Sequence, residues 1–120
     1  MSSKNVLACF KAYDVRGKIG EQLNEDISYR VGRATAQVLK AKSLVVGFDA
    51  RESSKSLADA VTRGVCDTGA EILSIGLSGT EEMYAAVSEF NADAGIEITA
   101  SHNPIDYNGM KIVKGGSQPL

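Results

Sequence analysis

The chain has no tryptophan, one histidine, two prolines and two cysteines among its 120 residues. Each scarcity excludes something. Cys9 and Cys66 stand far apart, with no CxxC and no His/Cys cluster beside them, so a zinc site lacks ligands and a disulfide framework lacks members. Cys66, between Val65 and Asp67 on a helical pattern, reads as a small core residue. With a single imidazole, any histidine acid–base chemistry in this chain has to use His102. No apolar run approaches the roughly 20 residues that cross a bilayer, and Val6-Leu7-Ala8-Cys9-Phe10 is too short for a signal-peptide core. A cytoplasmic location without a membrane partner is the resulting expectation. Charge of one sign is missing too: 13 Lys and Arg against 15 Asp and Glu leave a formal net charge of −2, which argues against a general nucleic-acid binder. The 12 glycines form neither a P-loop nor a G-x-G-x-x-G turn, so nucleotide binding has no support.

What is present reads as one soluble domain, 43% apolar and 23% charged, long enough to bury its own core. Two hydrophobic periods alternate. Leu44 to Phe48, Ile72 to Ile75, Ile96 to Ile98 and Met110 to Val113 carry strand patterns. Three helical stripes lie before or between them. Ile27, Val31, Ala34 and Val38 follow Asn24 as N-cap. Leu57, Val61 and Val65 follow Ser53 or Ser54 and stop at Gly69. Met83, Val87 and Phe90 follow Thr80 as cap. Strand, helix, strand, helix, strand predicts right-handed crossovers and parallel strands, and the last strand, reached through a loop alone, is antiparallel. The fold class is α/β: a three-layer α/β/α domain around a mixed, mostly parallel four-stranded sheet with one antiparallel strand. The stretch from Phe10 to Val15 adds a short extended piece. Residues 115–120, GGSQPL, look like the start of an interdomain linker.

The polar loop Thr99-Ala100-Ser101-His102-Asn103-Pro104 leaves the third strand, where α/β proteins place their chemistry. A serine hydroxyl needs a base, a cation or electrostatic support to act as a nucleophile, and a loop serine is most often only polar. A Ser-His hydrolase couple is disfavoured, because adjacent residues seldom bring the imidazole onto the hydroxyl and no G-x-S-x-G turn is present. His102 either fixes the loop by hydrogen bonds or transfers a proton. Asn103 precedes Pro104 and is biased to extended geometry. Asn108-Gly109 is a turn signal. Lys111 points away from the apolar face of Met110 and Ile112, as a solvated lysine or as positive charge near a phosphate. At the other end of the chain, Lys11, Tyr13 and Arg16 cluster around a turn, and an arginine fork suits phosphate oxygens. Arg51, just after the first strand of the core sheet, is a weaker candidate for the same rim.

Four segments together resemble the α-D-phosphohexomutases: FKAYDVRGKIG at 10–20, LNEDISYRVGRA at 23–34, GTEEMY at 79–84 and ITASHNPIDYNGMKIVKGG at 98–116. The resemblance covers nearly the whole chain and corresponds to the first of the family's four domains, so residues 1–120 would be one domain of a longer enzyme. Within the family the chain looks most like the phosphomannomutases that feed GDP-mannose synthesis. By that resemblance Ser101 would be the phosphorylated serine, exchanging its phosphoryl group with mannose 1- or 6-phosphate through a hexose 1,6-bisphosphate. Ser101, His102, Lys111 and Arg16 would be catalytic, and Tyr13, Arg16, Asn103 and Lys111 would bind substrate. A phosphoserine oxygen on Ser101 would ligate Mg²⁺, with the other metal ligands in a missing domain. The family's aspartate-rich metal loop, sugar-specificity loop and phosphate-binding loop are absent from this sequence, which makes the remaining domains of the parent chain partners and the isolated piece inactive. Glucose 1- and 6-phosphate as substrates, or a non-catalytic sugar-phosphate or protein-binding module, are the competing readings.

Overall fold

A parallel core sheet must bury both faces, and the sequence supplies three amphipathic helices to cover them. The computed structural model describes residues 10–11, 14–18, 23–99 and 107–119, with side chains for 23–99 and 108–116. In chain order the elements are β1 (Phe10–Lys11), β2 (Asp14–Lys18), α1 (Glu25–Val38), β3 (Ser43–Phe48), α2 (Ser54–Cys66), β4 (Glu71–Leu77), α3 (Thr80–Glu89), β5 (Ala94–Ile98), β6 (Tyr107–Lys114), a 3-10 turn (Gly115–Ser117) and β7 (Gln118–Pro119). The strands form one sheet in the order β1-β2-β6-β5-β3-β4, with β7 against the end of β6.

The expected layout is there. β3 is parallel to β4 and β5, and β6 runs antiparallel to β5. The extended piece near the N-terminus is larger than a fragment: β2 pairs with β6 along its whole length and β1 pairs with β2. Residues 115–119 fold back, so that Pro119 pairs with Val113.

Helices α1 and α2 cover one face, where Ile27, Val31, Leu57, Val61 and Val65 bury against Leu44, Val46, Ile96, Ile98, Met110 and Ile112. Helix α3 covers the other, with Met83 and Val87 against Val45 and Val113. Each fully buried aliphatic side chain contributes on the order of 1.5–3 kcal/mol. Asn24 caps α1 as expected, its Oδ1 accepting the Ile27 N–H at 2.9 Å.

Four local expectations need correction. Gly79, not Thr80, caps α3: its extended backbone turns the chain in, and Glu82 Oε1 accepts the Gly79 N–H at 2.9 Å. Ala34 and Val38 turn outward, Val38 being 74% exposed, because the close contact with α2 shifts the buried stripe of α1 onto Gly32, Thr35 and Ala36. Phe90 is 57% exposed, since α3 has already ended at Glu89. Cys66 is exposed rather than in the core, one position beyond the stripe that ends at Val65.

The contact between α1 and α2 is backbone on backbone. A Cβ on Gly32 would lie 2.4 Å from the Val61 carbonyl oxygen, and one on Gly64 would lie 2.0 Å from the Tyr29 carbonyl oxygen. No side-chain rotation relieves a clash with a main-chain atom, so the helices would have to separate. The Tyr29 hydroxyl also donates to Asp67 across the same interface. Gly64→Ala is therefore expected to destabilise the chain by about 1–3 kcal/mol in urea unfolding, despite the roughly 1 kcal/mol that alanine adds in helix propensity.

Candidate active site

Strands β3, β4 and β5 end at one edge of the sheet, where open α/β sheets bind their ligands. The backbone stays paired beyond the last residue of each strand. Asp49 N–H donates to the Ile98 carbonyl (2.9 Å), Ser78 N–H to the Phe48 carbonyl (2.8 Å) and Thr99 N–H to the Gly109 carbonyl (2.9 Å). The last of these closes the neck of the serine loop, whose two stems are β5 and β6. Ser101, His102, Asn103 and Tyr13 lie outside the described residues.

The returning stem is held by a buried amide. Asn108 donates from Nδ2 to the hydroxyl oxygens of Ser53 (2.8 Å) and Ser54 (2.9 Å), and its Oδ1 accepts the Gly109 N–H (2.8 Å). The Ser54 hydroxyl donates in turn to Asp49 Oδ1, which also accepts the Arg51 N–H at 3.0 Å. One run of hydrogen bonds thus joins β6, the start of α2 and the exit of β3. Asn108 and Gly109 do not form the turn their sequence suggests. They belong to β6, because the serines at the start of α2 meet the needs of the amide and β2 pairs with the backbone.

Strand register places the other candidates in two rows. Arg16 in β2 pairs with Gly109, whose carbonyl accepts the Thr99 N–H, so the Arg16 position is level with the neck of the loop. Lys111 pairs with Asp14 on one side and Glu97 on the other, and Glu97 pairs with Gly47 in β3. The rows are two residues apart along the strands, about 7 Å. The structure thereby brings the Arg16 and Lys111 positions and both ends of the serine loop into one neighbourhood. Lys111 is partly buried while Met110 and Ile112 are fully buried on the opposite face, as the alternation requires.

Glu97 enters this neighbourhood although its sequence pattern did not single it out. It is 0% exposed and the only buried Asp, Glu, Lys or Arg among the described residues. The Ser78 hydroxyl donates to Oε1 at 3.1 Å, whereas Oε2 has no hydrogen-bond partner among the described residues. Gly47 leaves the space for this pair, since a Cβ there would lie 2.2 Å from Ser78 Oγ and 2.5 Å from Glu97 Oε1. Burial pushes the carboxyl up to about 7, the Ser78 hydrogen bond pulls it back, and the negative charges of Asp49 and Glu82 add to the rise. The signal available in the sequence was the acid in Gly-Ile-Glu-Ile. Alternation reads it as the wet face of a strand, yet a central strand covered on both sides has no wet face.

Among the described residues no group of three or more His, Cys, Asp or Glu could hold a metal ion, and no helix is long and apolar enough to cross a membrane. Residues 8–120 match the family model described as phosphoglucomutase/phosphomannomutase, alpha/beta/alpha domain I. The chain belongs to this family. It is 55% identical over 114 residues to a phosphomannomutase of Escherichia coli (strain K12), covering 95% of this chain and 25% of that protein. It is 56% identical over 114 residues to a phosphomannomutase of Klebsiella pneumoniae, covering 95% of this chain and 73% of that sequence. The crystal structure of a phosphoglucomutase/phosphomannomutase family protein from Burkholderia thailandensis superposes with a TM-score of 0.85 at 35% identity, over 97% of this chain and 27% of that one. The chain therefore spans about a quarter of the length of most curated relatives it matches.

In this domain I, Asn108 and Glu97 invite separate tests. Removing the Asn108 side chain takes a donor from the buried Ser54 hydroxyl and from the half-buried Ser53 hydroxyl, so Asn108→Ala is expected to lower stability by about 1–3 kcal/mol in chemical unfolding. Glu97 acts through linkage. Its ordinary value is 4.5 and its folded value about 7, so between those pH values the folded chain holds a proton that the unfolded chain has lost. This group's contribution is best below that window and declines as pH rises through it, by roughly 3 kcal/mol in total. Glu97→Gln has no such proton. Its unfolding free energy relative to wild type is expected to improve by roughly that amount between about pH 4.5 and about pH 8.

Proposed function

We propose that this domain carries the phosphoserine of a phosphomannomutase that interconverts mannose 6-phosphate and mannose 1-phosphate. The observation that carries the reading is the serine loop, ITASHNP, leaving β5 at the C-terminal sheet edge in a chain 55% identical to a phosphomannomutase.

In this reading phosphorylated Ser101 gives its phosphoryl group to the free hydroxyl of a hexose 1- or 6-phosphate. The bond from phosphorus to Ser101 Oγ breaks as one to the sugar oxygen forms, the sugar hydroxyl loses its proton, and Ser101 Oγ regains one. The resulting hexose 1,6-bisphosphate turns over and returns its other phosphoryl group to Ser101. Such transfer asks the protein for positioning and positive charge rather than covalent assistance. Arg16 and Lys111 supply the charge, from positions level with and just inside the neck of the loop. Tyr13 and Asn103 line the sugar phosphate, and His102 with Lys111 exchange the protons. Mg²⁺ would be held by a phosphoserine oxygen on Ser101 and by groups outside this chain, and it neutralises charge on the transferring phosphate when bound. The remaining domains of the parent chain, beyond residues 1–120, complete the sugar site.

Ser101→Ala in the full-length protein is expected to lower mannose 1-/6-phosphate interconversion by roughly three orders of magnitude or more. The mass increment of one phosphate, mapped to Ser101 in the wild type, should be missing from the variant. Retained activity in the variant would make Ser101 the wrong nucleophile. Faster turnover of glucose than mannose phosphates would instead keep the mechanism and change the sugar.

A further inference from the structure

We infer that Asp49 is a positioning residue for the serine loop, its main chain holding the outgoing stem and its carboxylate holding the returning one. The inference rests on the reading of Ser101 as the phosphate carrier, and it concerns what fixes the loop rather than what reacts on it.

Hydrogen bonds close a ring around the neck of the loop. The Asp49 N–H donates to the carbonyl of Ile98, the last residue of β5, and the N–H of Thr99, the next residue, donates to the Gly109 carbonyl in β6. Asn108, one residue before Gly109, donates from Nδ2 to the Ser54 hydroxyl oxygen at 2.9 Å, and that hydroxyl donates to Asp49 Oδ1. The path has then passed through both stems and returned to Asp49, the first residue after β3.

The carboxylate also gives the ring its direction. A carboxylate only accepts, so Ser54 must donate to it and offers its lone pairs to Asn108. The amide is thereby turned with Nδ2 toward the serines and Oδ1 toward the Gly109 N–H, which it accepts at 2.8 Å. Without the acceptor on Asp49, the Ser54 hydroxyl is free to rotate and the direction of the ring is no longer set. The same Oδ1 accepts the Arg51 N–H at 3.0 Å, which ties the turn after β3 to the atom that holds Ser54.

Strand pairing alone does not require this ring. β5 and β6 already match from Ala94–Lys114 to Ile98–Met110, with Ile96, Ile98, Met110 and Ile112 buried on one face. Ser54 and Asn108 are both 0% exposed, where apolar side chains would bury without the loss of hydration that polar groups suffer. The ring stands where the pairing of β5 with β6 gives way to the loop, so its effect falls on the loop. Phosphoryl transfer depends on where the phosphate sits against the hydroxyl that receives it, and a support that locks both stems fixes that place.

The test compares Asp49→Ala with Asp49→Asn in the full-length protein. Asparagine keeps an acceptor at Oδ1 and removes the charge, whereas alanine removes both. Activity is expressed per phosphorylated chain, with bound phosphate counted by intact mass, so that loss of folded protein does not register. For Asp49→Ala, kcat is expected to fall roughly 10–100-fold, the effect of a misplacement of about 1 Å, with KM little changed. Asp49→Asn should recover most of that loss. Ser54→Ala breaks the ring at the same link, and combining it with Asp49→Ala should add little to the loss from Asp49→Ala alone. An unchanged kcat per phosphorylated chain in Asp49→Ala overturns the proposal and leaves a residue that serves stability alone. Equal losses in the alanine and asparagine variants overturn it too, since charge rather than hydrogen bonding would then be at work. Should Asp49→Ala fail to fold, Ser54→Ala decides in its place, and an unchanged kcat there is the refuting result. Hydrogen exchange reads the ring without reference to activity. The Thr99 amide is expected to exchange about tenfold faster in either alanine variant than in wild type, while the amides of β3 keep their protection, and an unchanged Thr99 rate refutes the clamp. If Ser101→Ala retains full activity, the phosphoserine reading fails, and exchange at Thr99 still decides whether Asp49 holds the neck.

Discussion

The C-terminal edge of the sheet depends on one buried amide. Asn108 sits in β6, yet its hydrogen bonds reach the first residues of α2 and, through Ser54, the carboxylate of Asp49 at the exit of β3. The consecutive elements β3 and α2 thereby share one polar junction with β6, which lies far along the chain. Buried polar groups that are fully partnered lock a single arrangement, because every alternative leaves a donor or acceptor unmet. The Thr99–Gly109 bond adds a second lock at the mouth of the loop. Both ends of the serine loop are thereby anchored to paired strands.

Much of this was legible in the chain. Leu44, Val46, Ile96 and Ile98 announced strands, Asn24 announced the start of a helix, and the short route from Ile98 to Met110 announced the antiparallel return. These features are local, and local pattern reports them faithfully. Misread residues had their roles decided at a distance. Asn108-Gly109 carries turn chemistry, but Ser53 and Ser54 satisfy the amide from half a chain away. Val38 and Ala34 continue the apolar period of α1, yet Gly32 and Gly64 let the helices approach so closely that the buried stripe moves round the helix. Glu97 alternates with Ile96 and Ile98, and the face it lies on is the one that α3 covers. The family motif supplied what pattern could not: a reason to single out Ser101 among the loop serines as the candidate.

Among the described residues, this edge of the sheet carries charges of both signs. Asp49, Glu82 and Glu97 stand on the side of β3 and α3, while the Arg16 and Lys111 positions lie on the side of β2 and β6. Each half of that division comes from a different part of the chain. The acids are fixed by the βα units, whose strands are parallel and consecutive. Arg16 and Lys111 come from the antiparallel part, which is built by the N-terminal strand and the last long strand and also carries Asp14 opposite Lys111, while Arg51 follows β3.

That division also sets an order of events when the chain folds. β3, β4 and β5 join through short helical crossovers and can collect as soon as they exist, whereas β2 must wait for β6, its partner near the other end of the described sequence. Pairings of such long sequence separation form slowly, and during synthesis the N-terminal strand emerges well before the strand it needs. Until β6 arrives, β5 presents an open edge and β2 has no sheet to join. The row that brings Arg16 level with the neck of the serine loop is therefore among the last parts to assemble, after the helices of the crossovers.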